Sequence, residues 1–156
     1  MIKTIPFEPE HLINIEKNDI DSETVDFIGN IEERAKAYFV SGPGLTVVDE
    51  CDPAIGDTIL ATGGLCFYWQ GVGELWMLIS PKGRKHGAVI YKAMSEFIQS
   101  CFDVYGCHRV QTSVMCNNSI AHKSTLRLGF IPEGMMVAYG PRKENYIRYV
   151  KLAGGV

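Results

Sequence analysis

The sequence lacks several features that would identify common classes of protein. None of its apolar runs approaches the roughly 20 residues of a membrane-spanning helix, and the first residues, MIKTIPFEPEH, lack the apolar core of a signal peptide. Positive charge is not in excess, because the formal net charge is −3. We therefore expect a cytoplasmic protein whose partners include neither membranes nor nucleic acid.

The cysteines are odd in number, scattered, and follow no recognisable pattern. The five cysteines are Cys51, Cys66, Cys101, Cys107 and Cys116. They form no CxxC pair and no metal-ligand spacing, and they lie within apolar patterns. We interpret them as reduced and mostly buried thiols, and we expect neither a metal site nor a catalytic cysteine.

Repeats, low-complexity tracts and linkers are also missing, which favours a single domain over residues 1–156. Hydrophobic residues make up 46% of the chain and charged residues 21%, so the composition is that of a packed globular protein.

The first half of the chain is predicted to contain two helices and four strands. IKTIPF alternates as a strand, and PEHLINIEKND is a short helix candidate. A second helix is predicted from Ser22, its candidate N-cap, to Phe39. LTVVDE and TILATGGLCFYW are predicted to form an antiparallel hairpin, and GELWMLIS a strand buried on both faces.

The second half begins with a long helix. Its predicted apolar face consists of Ile90, Met94, Phe97, Ile98, Cys101 and Tyr105. Gly106 is the predicted stop. HRVQTSVM is a further strand, NNSIAHKSTLRLGF a short helix capped by Asn118 and ended by Gly129, and MMVAYG and NYIRYVKL a closing hairpin.

The resulting order, β–α–α–β–β–β–α–β–α–β–β, is typical of a mixed sheet of the α/β or α+β class. The strand before the long helix and the strand after it form a right-handed crossover, which makes those two strands parallel.

The junction between that strand and the long helix, ISPKGRKHGA, concentrates positive charge and glycine. The basic side chains are Lys82, Arg84, Lys85 and His86. The first turn of a helix exposes backbone N–H groups and carries partial positive charge, so a phosphate or pyrophosphate is its natural ligand. Gly87 would permit close approach of that ligand, and Gly83 an unusual turn. A solvated basic turn is the alternative; the spacing fits neither GxxxxGK(S/T) nor GxGxxG.

Two blocks of sequence resemble the GNAT superfamily of N-acetyltransferases. Pro81, Arg84 and Gly87 form a P-x-x-R-x-x-G pattern similar to motif A, Q/R-x-x-G-x-G/A, which lies over the coenzyme A pyrophosphate. The last position departs from that motif, because it is Val89. The block from Asn118 to Gly129 and Phe130 is similar to motif B, in which an asparagine opens a helix that Gly-Phe closes.

The resemblance implies a GNAT-like α/β (α+β) fold, with a mostly antiparallel sheet of about six to seven strands, a splayed parallel pair and about four flanking helices. It implies acetyl-CoA as cosubstrate, with the backbone of Leu78 and Ile79 along the pantetheine arm. The remaining residues that it places on the cosubstrate are Arg84, Lys85, His86, Gly87, Ala88, Val89 and Asn118.

The resemblance also implies a direct attack of an amine on the thioester. The Leu78 N–H would stabilise the carbonyl oxygen and Glu74 would act as the general base. Many members protonate the thiolate with a tyrosine four residues before the motif B glycine, but that residue is Thr125 here. His122 is our candidate acid, with Tyr139 and Tyr146 as alternatives.

The acceptor is not identified by any motif, and both a small-molecule amine and a protein amine remain open, as does a homodimer. Tyr68 and Trp69 are candidates to line an acceptor pocket, whereas Trp76 fits the core. The acidic stretch DIDSETVD would suit a cationic amine, or is an ordinary solvated helix start. The alternative to an enzyme is a degenerate GNAT-fold binding or structural protein, such as the GNAT-like proteins of phages.

Overall fold

The computed structural model describes residues 1–18, 29–52 and 56–155, without the side chains of residues 51 and 52. Within these ranges it contains seven strands and four helices, in the order that the sequence predicts. The strands are β1 (Ile2–Pro6), β2 (Gly44–Asp52), β3 (Gly56–Trp69), β4 (Val72–Ile79), β5 (Arg109–Met115), β6 (Ile131–Met136) and β7 (Tyr146–Leu152). The helices are α1 (Pro9–Asn14), α2 (Ile31–Ser41), α3 (Gly87–Asp103) and α4 (Ser119–Arg127), and a 3-10 turn, Gly83–His86, precedes α3.

The strands pair in the order β1-β2-β3-β4-β5-β7-β6. β1–β2, β2–β3, β5–β7 and β6–β7 are antiparallel, whereas β4–β5 is parallel. The predicted parallel pair and the predicted mixed, mostly antiparallel sheet are therefore confirmed. The parallel ladder runs from Val72↔Arg109 to Glu74↔Gln111. The rest of β4, from Leu75 to Ile79, lies beyond its last pair.

The chain forms two compact units. The first consists of Met1–Cys66 and Trp76–Phe97, and the second of Phe67–Leu75 and Ile98–Val156. A single domain over residues 1–156 stays a prediction.

The core of the first unit forms where α1 and α2 pack around Phe7. Leu12 and Ala35 are buried against it. The Trp76 ring stacks on Tyr38 with centroids 4.4 Å apart and meets Phe7 edge-on at 5.0 Å. Such offset and T-shaped pairs are the favoured aromatic geometries, so the predicted core position of Trp76 is confirmed.

The start of α2 differs from the prediction. Ser22, the predicted cap, lies outside the described residues. In the described part, Asn30 is the N-cap, and its Oδ1 accepts hydrogen bonds from the N–H groups of Glu32 and Glu33. Helix α2 then runs on to Ser41. The Asn-Ile-Glu-Glu sequence, a cap followed by first-turn acids, is the local signal for this start.

The predicted apolar face of α3 is confirmed from Ile90 to Cys101. Its members in that range are all buried: Ile90, Met94, Phe97, Ile98 and Cys101. The predicted last member, Tyr105, is wrong: it lies beyond the helix and is 45% exposed. Helix α3 ends at Asp103, and Gly106 follows with a φ of +69°, the left-handed conformation expected of a helix stop.

The first strand of the closing hairpin is also shifted from the prediction. MMVAYG was predicted as strand, but β6 spans Ile131–Met136 and pairs Ile131 with Val150. The chain turns at Ala138, whose φ is +52°, and its N–H donates to Asn145 Oδ1 at 2.8 Å. A left-handed residue cannot continue a β ladder, so the strand ends before it.

The described thiols are unbridged, but not all are buried. Cys101 and Cys107 are buried, whereas Cys66 is half-buried and Cys116 exposed. Burial raises the pKa of the Cys101 thiol to about 12. The prediction of mostly buried cysteines is therefore wrong for Cys116, and the Cys51 side chain lies outside the described residues.

Two kinds of feature do not occur in the parts of the chain that the structure describes. None of the helices there is both long and apolar enough to cross a membrane. No group of three or more His, Cys, Asp and Glu side chains among those residues could hold a metal ion.

A buried polar network ties α1 to the sheet. His11 Nδ1 accepts the N–H of Glu8 at 2.9 Å and lies 2.9 Å from Thr46 Oγ1, which is 3.0 Å from Thr62 Oγ1. Thr46 and Thr62 are fully buried. Burial lowers the pKa of His11, against the opposing influence of Glu8 and Glu10. The network needs an unprotonated Nδ1, because an imidazolium nitrogen cannot accept.

We expect the free energy of unfolding to fall as the pH is lowered from about 7 to about 5, since the unfolded chain binds the His11 proton more readily than the folded chain does. The stabilisation of the fold by unprotonated His11 is present above the pKa of His11 in the unfolded chain. It is lost as the pH falls through the lower pKa of His11 in the folded chain. Urea unfolding of the parent and of His11→Gln at several pH values measures this. Equal pH dependence in both proteins would show that His11 is not responsible.

Candidate functional site

The junction between β4 and α3 is anchored by a buried serine. The N–H and the Oγ of Ser80 both donate to Leu60 O, at 2.9 and 3.1 Å. Ser80 Oγ in turn accepts the Gly83 N–H at 3.0 Å. Ser80 is 1% exposed, so these bonds hold the junction firmly against β3.

Gly83 has a different role from the predicted one. The sequence predicted an unusual turn, but Gly83 begins a regular 3-10 turn and has no positive φ. A Cβ atom at this position would lie 2.0 Å from Leu60 O and 2.9 Å from Leu60 C. The glycine is therefore needed because the turn passes so close to the β3 backbone.

Gly87 opens α3 in an ordinary helical conformation, with φ −54° and ψ −35°. A Cβ built on it would meet nothing within 4 Å. A side chain at this position would therefore meet no neighbour. Val89, the departure from motif A, is 42% exposed and does not pack under the helix.

Some backbone donors of the junction are already used. The Arg84 N–H donates to Ser80 O at 3.2 Å, and the Lys85 N–H donates to Lys82 O at 3.1 Å. The side chains of Lys82, Arg84 and Lys85 are exposed, and that of His86 is half-buried. The junction therefore offers an anion three exposed positive side chains.

A polar cluster in the second unit surrounds Glu74; we call Glu74, Gln111, Ser113 and Arg148 the Glu74 cluster. Glu74 is paired with Gln111 across β4 and β5, and Ser113 with Arg148 across β5 and β7. Side chains of paired residues, and of residues two apart along a strand, point to the same face of a sheet. All four side chains therefore converge on one face.

The two carboxylate oxygens of Glu74 are unequally occupied. Oε2 accepts from Arg148 NH1 at 2.6 Å and from Gln111 Nε2 at 2.9 Å. The Tyr68 hydroxyl is 3.4 Å from the same oxygen, whereas Oε1 accepts from Ser113 Oγ at 3.2 Å. The side chains of Glu74 and Arg148 are only 19% and 17% exposed. The Glu74–Arg148 ion pair is thus held in a fixed orientation. It is largely shielded from water but keeps some exposed surface.

A second ion pair extends the cluster. Arg109 donates through NH1 and NH2 to the two oxygens of Glu133, and through Nε to Gln111 Oε1 at 2.8 Å. The hydrogen bonds between Arg109 and Glu133 raise the pKa of Arg109 and lower that of Glu133. Gln111 therefore joins the two ion pairs. The hydrogen bond from Arg109 to Gln111 Oε1 orients the Gln111 amide so that its Nε2 points toward Glu74.

Asn118 caps α4 as predicted, because its Oδ1 accepts the Ala121 N–H at 3.1 Å. His122 lies one turn later with both ring nitrogens engaged. Nε2 is 3.2 Å from Cys116 O, and Nδ1 is 2.8 Å from the Tyr149 hydroxyl. Tyr149 is buried, and burial raises the pKa of its hydroxyl. These contacts favour a role for His122 in tying α4 to β7; its role as general acid stays a prediction.

Several aromatic side chains of the second unit are exposed. Tyr68 is 52% exposed, Trp69 67% and Tyr139 54%. The Tyr139 ring packs edge-on against Tyr146 at 5.3 Å. Burial raises the pKa of Tyr68, with Glu74 and Tyr139 adding to the shift and Arg148 opposing it. The Tyr68 hydroxyl therefore lies at the Glu74 cluster, and Tyr139 lies near Tyr68.

Three members of the Glu74 cluster were not singled out from the sequence: Gln111, Ser113 and Arg148. A signal for the first two was present, because HRVQTSVM places Arg109, Gln111 and Ser113 at alternate positions of one strand. Such alternation puts polar side chains on one face. Nothing local singles out Arg148, since its partner Glu74 is 74 residues away.

Comparison with known proteins gives similarity in structure only. No protein-family model matches the sequence, and no curated protein is significantly similar to it. A GNAT-family acetyltransferase from Bacillus anthracis is 14% identical, with 97% of this chain and 94% of that chain covered and a TM-score of 0.72. A variant of the Vibrio cholerae spermidine N-acetyltransferase is 15% identical, with 96% and 94% covered and a TM-score of 0.68.

The ribosomal-protein-S5-alanine acetyltransferase of Vibrio fischeri is 16% identical, with 97% and 92% covered and a TM-score of 0.66. The similarity to all three extends over almost the whole of each chain. The predicted GNAT-like fold is therefore confirmed.

Proposed function

We propose that this chain, which has the fold of GNAT acetyltransferases, is an acetyl-CoA-dependent N-acetyltransferase that moves an acetyl group to a primary amine by direct attack. The observation that carries the proposal is the start of α3, where the exposed, positively charged side chains of Lys82, Arg84 and Lys85 precede Gly87, whose Cβ direction is unobstructed. A pyrophosphate is the anion that such a junction suits.

In this proposal the side chains of Arg84, Lys85 and His86 hold the pyrophosphate. The backbone amides of Gly87, Ala88 and Val89 are proposed to complete the site. The Lys85 amide already donates to Lys82 O, and the His86 amide lies within the 3-10 turn. The unobstructed Cβ direction of Gly87 supports the proposal, since no side chain or neighbour fills the space beside the backbone there.

The pantetheine arm is proposed to lie along β4 beyond Glu74. Leu78 and Ile79 lie past the last pair of the β4–β5 ladder, so their backbone groups take no part in that ladder. An extended ligand can pair with such a strand edge. The Leu78 N–H is the proposed donor to the thioester oxygen, and Asn118 a proposed further contact.

Glu74 is the proposed general base. Its Oε1 accepts one hydrogen bond, from Ser113, and so retains capacity for a proton delivered directly or through water. The amine nitrogen then forms a bond to the acetyl carbon, the carbon–sulfur bond breaks, and the coenzyme A thiolate takes up a proton. We expect His122 to supply that proton only if its contact with Cys116 O opens.

Titration calorimetry with acetyl-CoA tests the proposal. We expect micromolar binding by the parent and about tenfold weaker binding by Arg84→Ala, which removes a charge-assisted contact. Lys92→Ala is the matched control, because it removes one positive charge from an exposed position of α3, where Lys92 forms an ion pair with Glu96. Equal affinity of both variants would overturn the assignment of the pyrophosphate site.

A second candidate is a GNAT-fold protein that does not bind acetyl-CoA and acts as a binding or structural module. It is favoured by the regular path of the chain from the 3-10 turn into α3 and by the bulky Val89. This candidate predicts that no binding is detected even at millimolar acetyl-CoA.

A further inference from the structure

The two arginines next to Gln111 differ in how well they are satisfied. Arg109 has an oxygen partner for each of its three nitrogens, two of them on Glu133. Arg148 donates through NH1 to Glu74, but the contact of its NH2 is Met136 Sδ at 3.5 Å. A thioether is a weak acceptor, whereas a guanidinium has five strong donors. Among the described residues, no oxygen accepts from NH2 of Arg148.

The Glu74 carboxylate also has hydrogen-bonding capacity left, as an acceptor rather than as a donor. Oε1 receives one hydrogen bond, whereas Oε2 has three donors around it. Arg148 NH1 and Glu74 Oε2 are 2.6 Å apart, so the under-used NH2 and the under-used Oε1 belong to two side chains in direct contact. Both side chains retain some exposure, so a small molecule can reach them.

We propose that this pair recognises a zwitterion, in which Arg148 binds the carboxylate of the acceptor and Glu74 Oε1 receives its amino group. The acceptor is then a monoamine of the amino acid type, with the carboxylate close to the nitrogen that is acetylated. This rests on the proposed function and assigns its substrate class. Arg148 is a specificity residue, because its planar fork matches a carboxylate and a lysine ammonium does not.

The charge balance of the two ion pairs, Glu74–Arg148 and Glu133–Arg109, favours an amino acid over a polyamine as the acceptor. Glu74 and Glu133 are each neutralised by an arginine, Arg148 and Arg109 respectively. A polycation needs surplus negative charge, which these four groups do not provide. The acidic stretch DIDSETVD lies outside the described residues and takes no part in this comparison.

Exposed rings supply a surface for the body of the acceptor. The Tyr68 hydroxyl lies 3.4 Å from Glu74 Oε2, and Tyr139 is near enough to Tyr68 to raise the pKa of that hydroxyl. Aromatic rings pair favourably in offset or edge-on arrangements. An aromatic amino acid is therefore the most informative probe.

The test compares L-phenylalanine with phenethylamine, which lacks only the carboxylate, and with spermidine, in a thiol-release assay with acetyl-CoA. We expect kcat/KM for L-phenylalanine to exceed that for phenethylamine by about tenfold or more, as for a lost charge-assisted contact. In Arg148→Lys this ratio should fall toward one, mainly through KM. Arg127→Lys, on the exposed side of α4, should keep the parental ratio.

Preference for spermidine or phenethylamine in the parent, or an unchanged ratio in Arg148→Lys, would overturn the inference while leaving acetyl transfer intact. If no amine is acetylated, the proposed function fails, and binding of 3-phenylpropanoate, followed by ligand-observed NMR, decides this inference separately. Binding that Arg148→Lys abolishes and Arg127→Lys preserves supports the carboxylate site. No binding, or binding equal in both variants, refutes it.

Discussion

Replacing Gly83 with alanine is expected to lower the free energy of unfolding by about 3 kcal/mol or more. The new Cβ would lie 2.0 Å from Leu60 O and 3.0 Å from Ile79 Cγ2. The first of these neighbours is backbone in the middle of β3, which cannot move without breaking the hydrogen bonds that Leu60 O accepts from Ser80. Chemical unfolding monitored by circular dichroism measures the change.

Gly87→Ala is the matched control, because it adds the same methyl group four residues later. Its Cβ meets nothing within 4 Å, and its backbone is already helical. Alanine is the better helix former, so we expect a gain of about 0.5–1 kcal/mol. Comparable destabilisation by both substitutions would mean that the junction does not pack against β3 as described.

Replacing Glu74 with glutamine is expected to lower kcat about 10²- to 10⁴-fold, the range for removal of a general base. The amide is nearly the same size and its oxygen can still accept a hydrogen bond, but it cannot take a proton from the amine. Rates at saturating acetyl-CoA across pH 6–9 measure the loss. Thermal unfolding of the same sample separates it from misfolding, since Arg148 loses the charge of its partner.

Glu133→Gln is the control for the loss of a carboxylate from the same polar surface. Glu133 forms an ion pair with Arg109, as Glu74 does with Arg148, but its side chain is 44% exposed and the proposal assigns it no catalytic step. We expect its kcat to stay within about threefold of the parent, as for an exposed ion pair of small energetic weight. A Glu74→Gln rate equally close to the parent would remove Glu74 from the mechanism.

Much of the fold could be predicted because its signals are local. The apolar face of α3 from Ile90 to Cys101, the Asn118 cap and the parallel crossover all follow from periodicity, capping chemistry and handedness. The errors occurred where two local signals compete. MMVAYG was predicted as a strand from its apolar residues, but strand pairing ends at Met136, before the left-handed Ala138.

The amino-acid sequence by itself determined the order of the elements, the mixed sheet and a basic, glycine-containing junction in front of α3. Only the tertiary structure decided that Gly83 is required by the β3 backbone, and that Arg148 and Glu74 form one ion pair. The physical reason is distance along the chain. Helix and strand periodicity repeats within a few residues, whereas these contacts depend on the register of strands that come together only when the sheet has formed.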